Sequence, residues 1–183
     1  MAKRQSLKEL QERLAQRLSV AKTEAVTAAW LAVESNGSRY LLPLVQSGEI
    51  FPWAAVQRVP YTKPWYLGVA SLRGGLHGVI DLAALVESES PVAGSAALAS
   101  QGERITSESR LVSLHTALGV NAVIWIDRLL GLRSAAMFSG FGSKPDGAPS
   151  YFNRSLMDTQ GLLWQELDLQ VLVGEPEFLA IAA

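Results

Sequence analysis

The sequence has no cysteine, only two histidines and no uninterrupted apolar run of the roughly 18 residues that a membrane-spanning helix needs. The first absence excludes a disulfide framework, cysteine-ligated zinc and thiol catalysis, and it suits a reducing compartment. The second leaves histidine chemistry only His77 and His115. Neither has a neighbour at metal-ligand or triad spacing, and on an extended segment His77 and Asp81 would stand about 13 Å apart. No secretory leader is expected in MAKRQSLKELQERLAQ, since charges break it every few residues. The expectation is a soluble, cytoplasmic protein with no direct membrane insertion.

Charge is also scarce, at 18% against 49% hydrophobic residues, so the chain should fold. Its 183 residues, without internal repeats, fit one domain of roughly 150 residues plus extensions. The net charge of −1 hides an asymmetry. Residues 1–22 carry Lys3, Arg4, Lys8, Arg13, Arg17 and Lys22 against Glu9 and Glu12, a balance of +4 that leaves −5 for the remainder. Nucleic-acid binding usually needs a basic stripe on the folded body, and this body is mildly acidic.

What is present begins with a helix signal. Ser6 and Glu9 form a capping box, and Leu7, Leu10, Leu14, Leu18, Ala21, Ala25 and Ala28 recur at helical steps. The spacing predicts a helix of about 20 residues with one narrow apolar stripe, residues 1–29 forming an arm. The stripe packs on its own domain or docks a partner; a membrane-surface role has the least support, because no aromatic anchor precedes Trp30.

From Trp30 the period changes to two. Asn36-Gly37 between apolar runs is the strongest short hairpin signal, because both residues tolerate positive φ. Strands are also expected around Glu49-Ile50-Phe51 and over Ala54–Val59. The central stretch, WYLGVASLRGGLHGVIDL from Trp65 to Leu82, reads as strand, sharp turn, strand, with Arg73 mounted at the tip between Leu72 and Gly74. Arg73 either offers its donors to a partner or pairs with Asp81 or another carboxylate to secure the turn. Asp81 itself reads as a cap for a short helix through Leu85.

Residues 86–109, rich in Ser, Ala and Glu and without an aromatic residue, read as a mobile surface insertion. Strand patterns resume from Arg110 to His115, Ala122 to Ile126, Arg128 to Arg133, and a turned pair from Tyr151 to Leu167. Asp168 should cap a last helix through Val173, stopped by Gly174 and Pro176. About nine or ten short strands with Gly/Pro turns imply a mainly β fold of barrel or sandwich type. No nucleophile elbow occurs, and Gly140-Phe141-Gly142-Ser143-Lys144 lacks the spacing and flanking elements of a phosphate loop. No catalytic set can be assembled, so the expectation is a protein that is not an enzyme and holds no cofactor or metal.

The chain from Trp30 onward resembles the CheW-like family of chemotaxis coupling domains. The resemblance rests on Gly68-Val69-Ala70-Ser71-Leu72-Arg73-Gly74 followed by Val79-Ile80-Asp81-Leu82, supported by Tyr40–Leu44, Glu49-Ile50, Thr62–Pro64 and Asp127-Arg128-Leu129. Ser71 stands where the family has asparagine, Gly78 where it has proline, and Ser47-Gly48-Glu49 where valine-x-glutamate is common. Loss of the proline should loosen the entry of the second strand, and loss of the valine an apolar contact beside the glutamate.

The resemblance implies two packed five-stranded SH3-like β-barrels, preceded by the N-terminal helix and followed by a short C-terminal one. It implies an adaptor between the regulatory domain of a CheA-type histidine kinase and the cytoplasmic tip of a methyl-accepting chemoreceptor. The arm and insertion resemble the PilI-like branch of type IV pilus twitching motility. The implied partner-binding residues are Glu49, Leu72, Arg73 and Gly74, with Arg58 beside them. From a different class, the alternative is a stand-alone β-barrel binding module for nucleic acid or peptide.

Overall fold

A computed structural model describes residues 28–89 and 101–183, together with Arg13. The predicted N-terminal helix therefore lies outside the described residues except at Arg13, which is helical and exposed.

Among the described residues, eleven strands form two sheets. In chain order they are β1 (Trp30–Ser35), β2 (Ser38–Pro43), β3 (Ser47–Pro52), β4 (Tyr66–Leu72), β5 (Gly75–Asp81), β6 (Arg110–Leu114), β7 (Ala122–Ile126), β8 (Arg128–Arg133), β9 (Phe138–Gly142), β10 (Phe152–Asp158) and β11 (Leu163–Leu167). One sheet runs β8-β1-β2-β11-β10-β9 and the other β3-β6-β7-β5-β4. The chain begins the six-stranded sheet with β1 and β2, builds the whole five-stranded sheet, then returns to finish the first.

Strand alternation explains the packing. In β7, Ala122, Ile124 and Ile126 face the core shared by the two sheets, while Val123 and Trp125 face a core belonging to the five-stranded sheet alone. In β1, Leu31 and Val33 face the shared core, and Trp30 and Ala32 a third core inside the six-stranded sheet. Both faces of these strands are apolar because each sheet curls around its own interior and also packs on its neighbour.

The mainly β architecture of two packed sheets is as expected, but among the described residues neither sheet closes into the expected five-stranded SH3-like barrel. A sixth strand, β8, joins β1, and the ladder of that sheet ends at β8 and β9, which are joined by a 3-10 turn at Ala135–Met137 instead of pairing. In the other sheet the ends are β3 and β4, and Ala54–Val59 is not a strand. It crosses between them and meets β4 in a single bridge, Gln57 to Val69. Gly68 makes the crossing possible: at φ +134, a Cβ there would lie 2.1 Å from the Gln57 carbonyl oxygen.

The two tight hairpins have the same chemistry. Asn36 and Gly37 take φ 47° and 76°, Arg73 and Gly74 φ 45° and 80°, the doubly left-handed turn that matches strand twist. The loosened strand entry expected at Gly78 is not found. Its N–H donates to the Asn121 carbonyl at 3.1 Å, a bond that a proline could not make, and the Tyr66 ring packs where a side chain would go.

Among the described residues of the body there are four α-helices: α1 (Leu82–Glu89), α2 (Gln101–Arg104), α3 (Leu169–Gly174) and α4 (Pro176–Leu179). Asp81 caps α1 by accepting from Ala83 and Ala84 N–H, and Asp168 caps α3 by accepting from Gln170 and Val171 N–H. Pro176, expected to end a helix, opens α4 at the position where its missing N–H costs nothing.

The ends of the stretch read as a mobile insertion are structured: 86–89 continue α1, and 101–104 form α2. Residues 90–100 lie outside the description. Arg104 of α2 is buried at 7% exposure. Its guanidinium donates to both oxygens of Asp81 at 2.9 and 3.0 Å, to Asp127 at 2.9 Å and to Ser35 Oγ at 3.1 Å, and lies 4.4 Å from the Trp125 ring centroid. Asp127 also accepts from Asn36 N–H, so one cation ties the first hairpin to the ends of β5 and β7. Burial alone would favour neutral Arg104, but the bonds from Asp127 and the charges of Asp81 and Asp127 outweigh it and hold the guanidinium charged. Burial pushes the Asp81 carboxyl above its usual range, and Arg104 opposes that rise.

Arg104→Ala strands two carboxylates at the junction and should cost about 3–5 kcal/mol in urea unfolding, with Arg104→Lys falling between because it lacks the fork. A loss below about 1 kcal/mol would contradict the assignment. Gly68→Ala should cost more than about 2 kcal/mol, since a backbone oxygen must move, whereas Gly74→Ala should cost only about 1 kcal/mol, because open space surrounds it and only the positive φ is strained.

Candidate functional site

The site forms where the two end strands of the five-stranded sheet approach one another. Gly48 lets β3 lie close to β6, where a Cβ would meet Ser113 Oγ at 2.5 Å. Ser113 Oγ instead accepts the Glu49 N–H at 2.7 Å, and the ladder slips between Ser47 and Ile50. Such a bulge re-aims the side chain it carries, here Glu49, away from the ladder. The absent valine is replaced by Ser47, a buried residue whose hydroxyl donates to the Pro43 carbonyl at 2.9 Å.

Opposite stands the β4–β5 turn. Leu72 pairs with Gly75 to close it, and Arg73 holds a positive φ that is uncommon for a long side chain. From there its guanidinium forms an ion pair with Glu49 and lies 5.9 Å from the Phe51 ring centroid. His77 also packs against Phe51 at 6.3 Å between centroids, its Nδ1 3.3 Å from the Gly75 carbonyl oxygen. The side chain of Arg73 is 75% exposed and that of Glu49 43%. The pair is therefore a solvent-facing donor and acceptor set on a firm base. It contributes no more than about 1 kcal/mol to the fold.

Arg73 thus pairs with a carboxylate, but with Glu49 and not with Asp81, which Arg104 occupies. Of the other implied contact residues, Gly74 is exposed at the tip and supplies the turn's second positive φ. Leu72 is buried at 7% in the sheet's own core, so it anchors the turn and offers no surface. Arg58 is engaged separately: it lies in the crossing segment and donates to Gln101 Oε1 at 3.2 Å. Phe51 and His77, the platform beneath the ion pair, were not singled out from the sequence. A Glu-x-Phe alternation in β3 was the available signal, but the bulge removes its regular period.

Two tryptophans of the five-stranded sheet's surroundings pack inward. Trp65 is 3% exposed and stacks on Phe178, while Trp53 packs on Trp125. His115 accepts from Ala117 N–H to cap a 3-10 turn. Among the described residues no group of three or more His, Asp or Glu could hold a metal ion, and no helix is long and apolar enough to cross a membrane.

A family model described as CheW-like domain matches residues 29–176. Among solved structures, the crystal structure of the scaffolding protein TtCheW from Thermoanaerobacter tengcongensis is similar, with a TM-score of 0.57 and 16% identity over 78% of this chain and 89% of that one. At that identity the likeness concerns the fold. No curated protein matches the chain. With the family match spanning most of its length, from the start of β1 to the start of α4, the chain belongs to the CheW-like domain family.

Proposed function

We propose that this protein is a non-enzymatic signalling adaptor. One face holds the regulatory domain of a CheA-type histidine kinase, and another holds the cytoplasmic tip of a methyl-accepting chemoreceptor. Family membership supports the reading, and the observation that carries it is the exposed Glu49–Arg73 pair, braced from beneath by Phe51 and His77. A surface charge with no partner to meet would not need a bulge on one side and a strained turn on the other.

The mechanism is linkage. An adaptor changes the kinase only through a difference in affinity for the kinase's states, so receptor rearrangements act by altering which state the bound assembly favours. Incoming charges can exchange with Glu49 and Arg73 at little cost, since the internal pair is largely solvated.

Arg73→Ala and Glu49→Ala should each unfold within about 1 kcal/mol of the unaltered chain. Both should weaken receptor-dependent stimulation of the kinase in a reconstituted assay. The exchange Glu49→Arg with Arg73→Glu should keep the internal pair and the stability but not the coupling. Full coupling in all three variants would remove the site from the reading. The receptor captured by the unaltered protein also tells flagellar chemotaxis from type IV pilus twitching motility.

A further inference from the structure

The six-stranded sheet ends on two unlike strands. β8 carries Arg128 and Arg133 at its ends, the kind of charge that discourages pairing with another chain. β9, Phe138-Ser139-Gly140-Phe141-Gly142, has no charge and no proline, and among the described residues it pairs with β10 alone. A strand directs its main-chain groups to both sides, so the side of β9 away from β10 offers donors and acceptors to a further strand. Gly140 and Gly142 leave one face of this edge without side chains, and Phe141 on the other face is 57% exposed.

A cation stands beside that edge. Phe141 lies opposite Leu156 in the ladder, and Arg154, two residues before Leu156, shares its face. The guanidinium carbon of Arg154 lies 5.4 Å from the Phe141 ring centroid and 5.7 Å from that of Trp30. Its Nε donates to Glu166 at 2.8 Å. Glu166 is buried and also accepts from Trp30 Nε1 at 2.6 Å and Asn153 Nδ2 at 2.9 Å, so the group that orients Arg154 is itself fixed. Among the described residues Nη1 and Nη2 of Arg154 meet no acceptor. With the side chain 44% exposed, they form a preset fork of the kind that takes a carboxylate in two parallel bonds.

The surrounding charge favours the same ligand. Arg39 and Arg133 lie 6.0 and 5.4 Å from the Trp164 ring centroid, and among the described residues neither has a carboxylate within 4 Å. Asp158 is committed to Trp164 Nε1 and to the N–H groups of Gln160 and Leu162. A strand arriving at β9 therefore meets a surplus of positive charge, which selects an acidic side chain on it.

We propose that β9 accepts an extended segment of a partner protein as a further strand of the six-stranded sheet, with an Asp or Glu side chain of that segment seated in the Arg154 fork beside Phe141. A phosphate also fits a guanidinium, but a nucleic acid makes no use of the main-chain groups of a strand edge, and the body after residue 22 is acidic. The surface lies on the other sheet from Glu49 and Arg73 and shares no residue with them, so it stands or falls separately from the adaptor reading.

The probe is an acetylated and amidated peptide, Ser-Thr-Val-Glu-Val-Thr-Ser, titrated into isotope-labelled full-length protein and followed by NMR. The amide signals of 138–142 and the Arg154 Nε–H should move together and saturate at millimolar peptide. Replacing the peptide's glutamate with glutamine should weaken binding about tenfold, the loss of one charge-assisted contact. Arg154→Lys, which keeps the charge without the fork, should weaken binding of the glutamate peptide alone. Phe141→Glu, which sets a carboxylate of the chain itself beside the fork, should abolish binding, and unchanged signals elsewhere in both spectra show that the variants fold. The proposal is overturned if the two peptides bind alike, if the shifts lie away from β9, or if none appears. It is overturned too if oligothymidylate moves the same signals at lower concentration than the peptide, which would assign the fork to phosphate.

Discussion

The body is held in register by a buried cation shared between two carboxylates. Asp81 ends β5, Asp127 follows β7, and Arg104 comes from a helix of only four residues, yet the three meet under the first hairpin and against the Trp125 ring. Two negative charges at 1% and 17% side-chain exposure are costly without a counter-charge, and a planar fork with several donors can satisfy both at once. The sheets could pack through hydrophobic contact alone, but such contact is indifferent to small slips. The ion network is directional and fixes which ends of which strands lie together.

The surface proposed to meet partners uses the same chemistry under opposite conditions. Arg104 is enclosed and committed, whereas Arg73 is exposed and replaceable. In water the Glu49–Arg73 pair is nearly neutral energetically, so it can be given up to a partner; at the junction the same kind of pair cannot be broken without leaving a buried charge. The motif on which the sequence resemblance rests contains one residue of each kind, Arg73 at the surface and Asp81 in the interior. Their spacing in sequence is a matter of hairpin geometry, and their roles are unrelated.

Hairpins and caps were legible from the sequence because they are local. Asn36-Gly37, Asp81 and Asp168 each act within a few residues, and the structure shows all three in the roles that their chemistry suggests. Arg104 was illegible because it lies in a stretch, 86–109, rich in Ser, Ala and Glu, a composition that resembles a linker, and its carboxylate partners lie 23 residues away in either direction. Ala54–Val59 has a strand's composition but crosses between sheet ends, an outcome decided by Gly68 on another strand. In the site, Arg73 could be picked out as a mounted cation, but its partner Glu49 depended on a bulge that Ser113 stabilises from across the sheet.

The interrupted order of the six-stranded sheet bears on how the chain emerges during synthesis. Strands β3 to β7 are contiguous and can assemble as soon as residue 126 is free, with Arg104 already available to Asp81. Strands β1 and β2 must wait, with Trp30, Ala32 and Leu41 uncovered, until β11 arrives more than a hundred residues later to supply Trp164 and Glu166. Long-range pairing of this sort is slow and leaves an apolar hairpin open to wrong partners, so the first-made strands are the last to be protected.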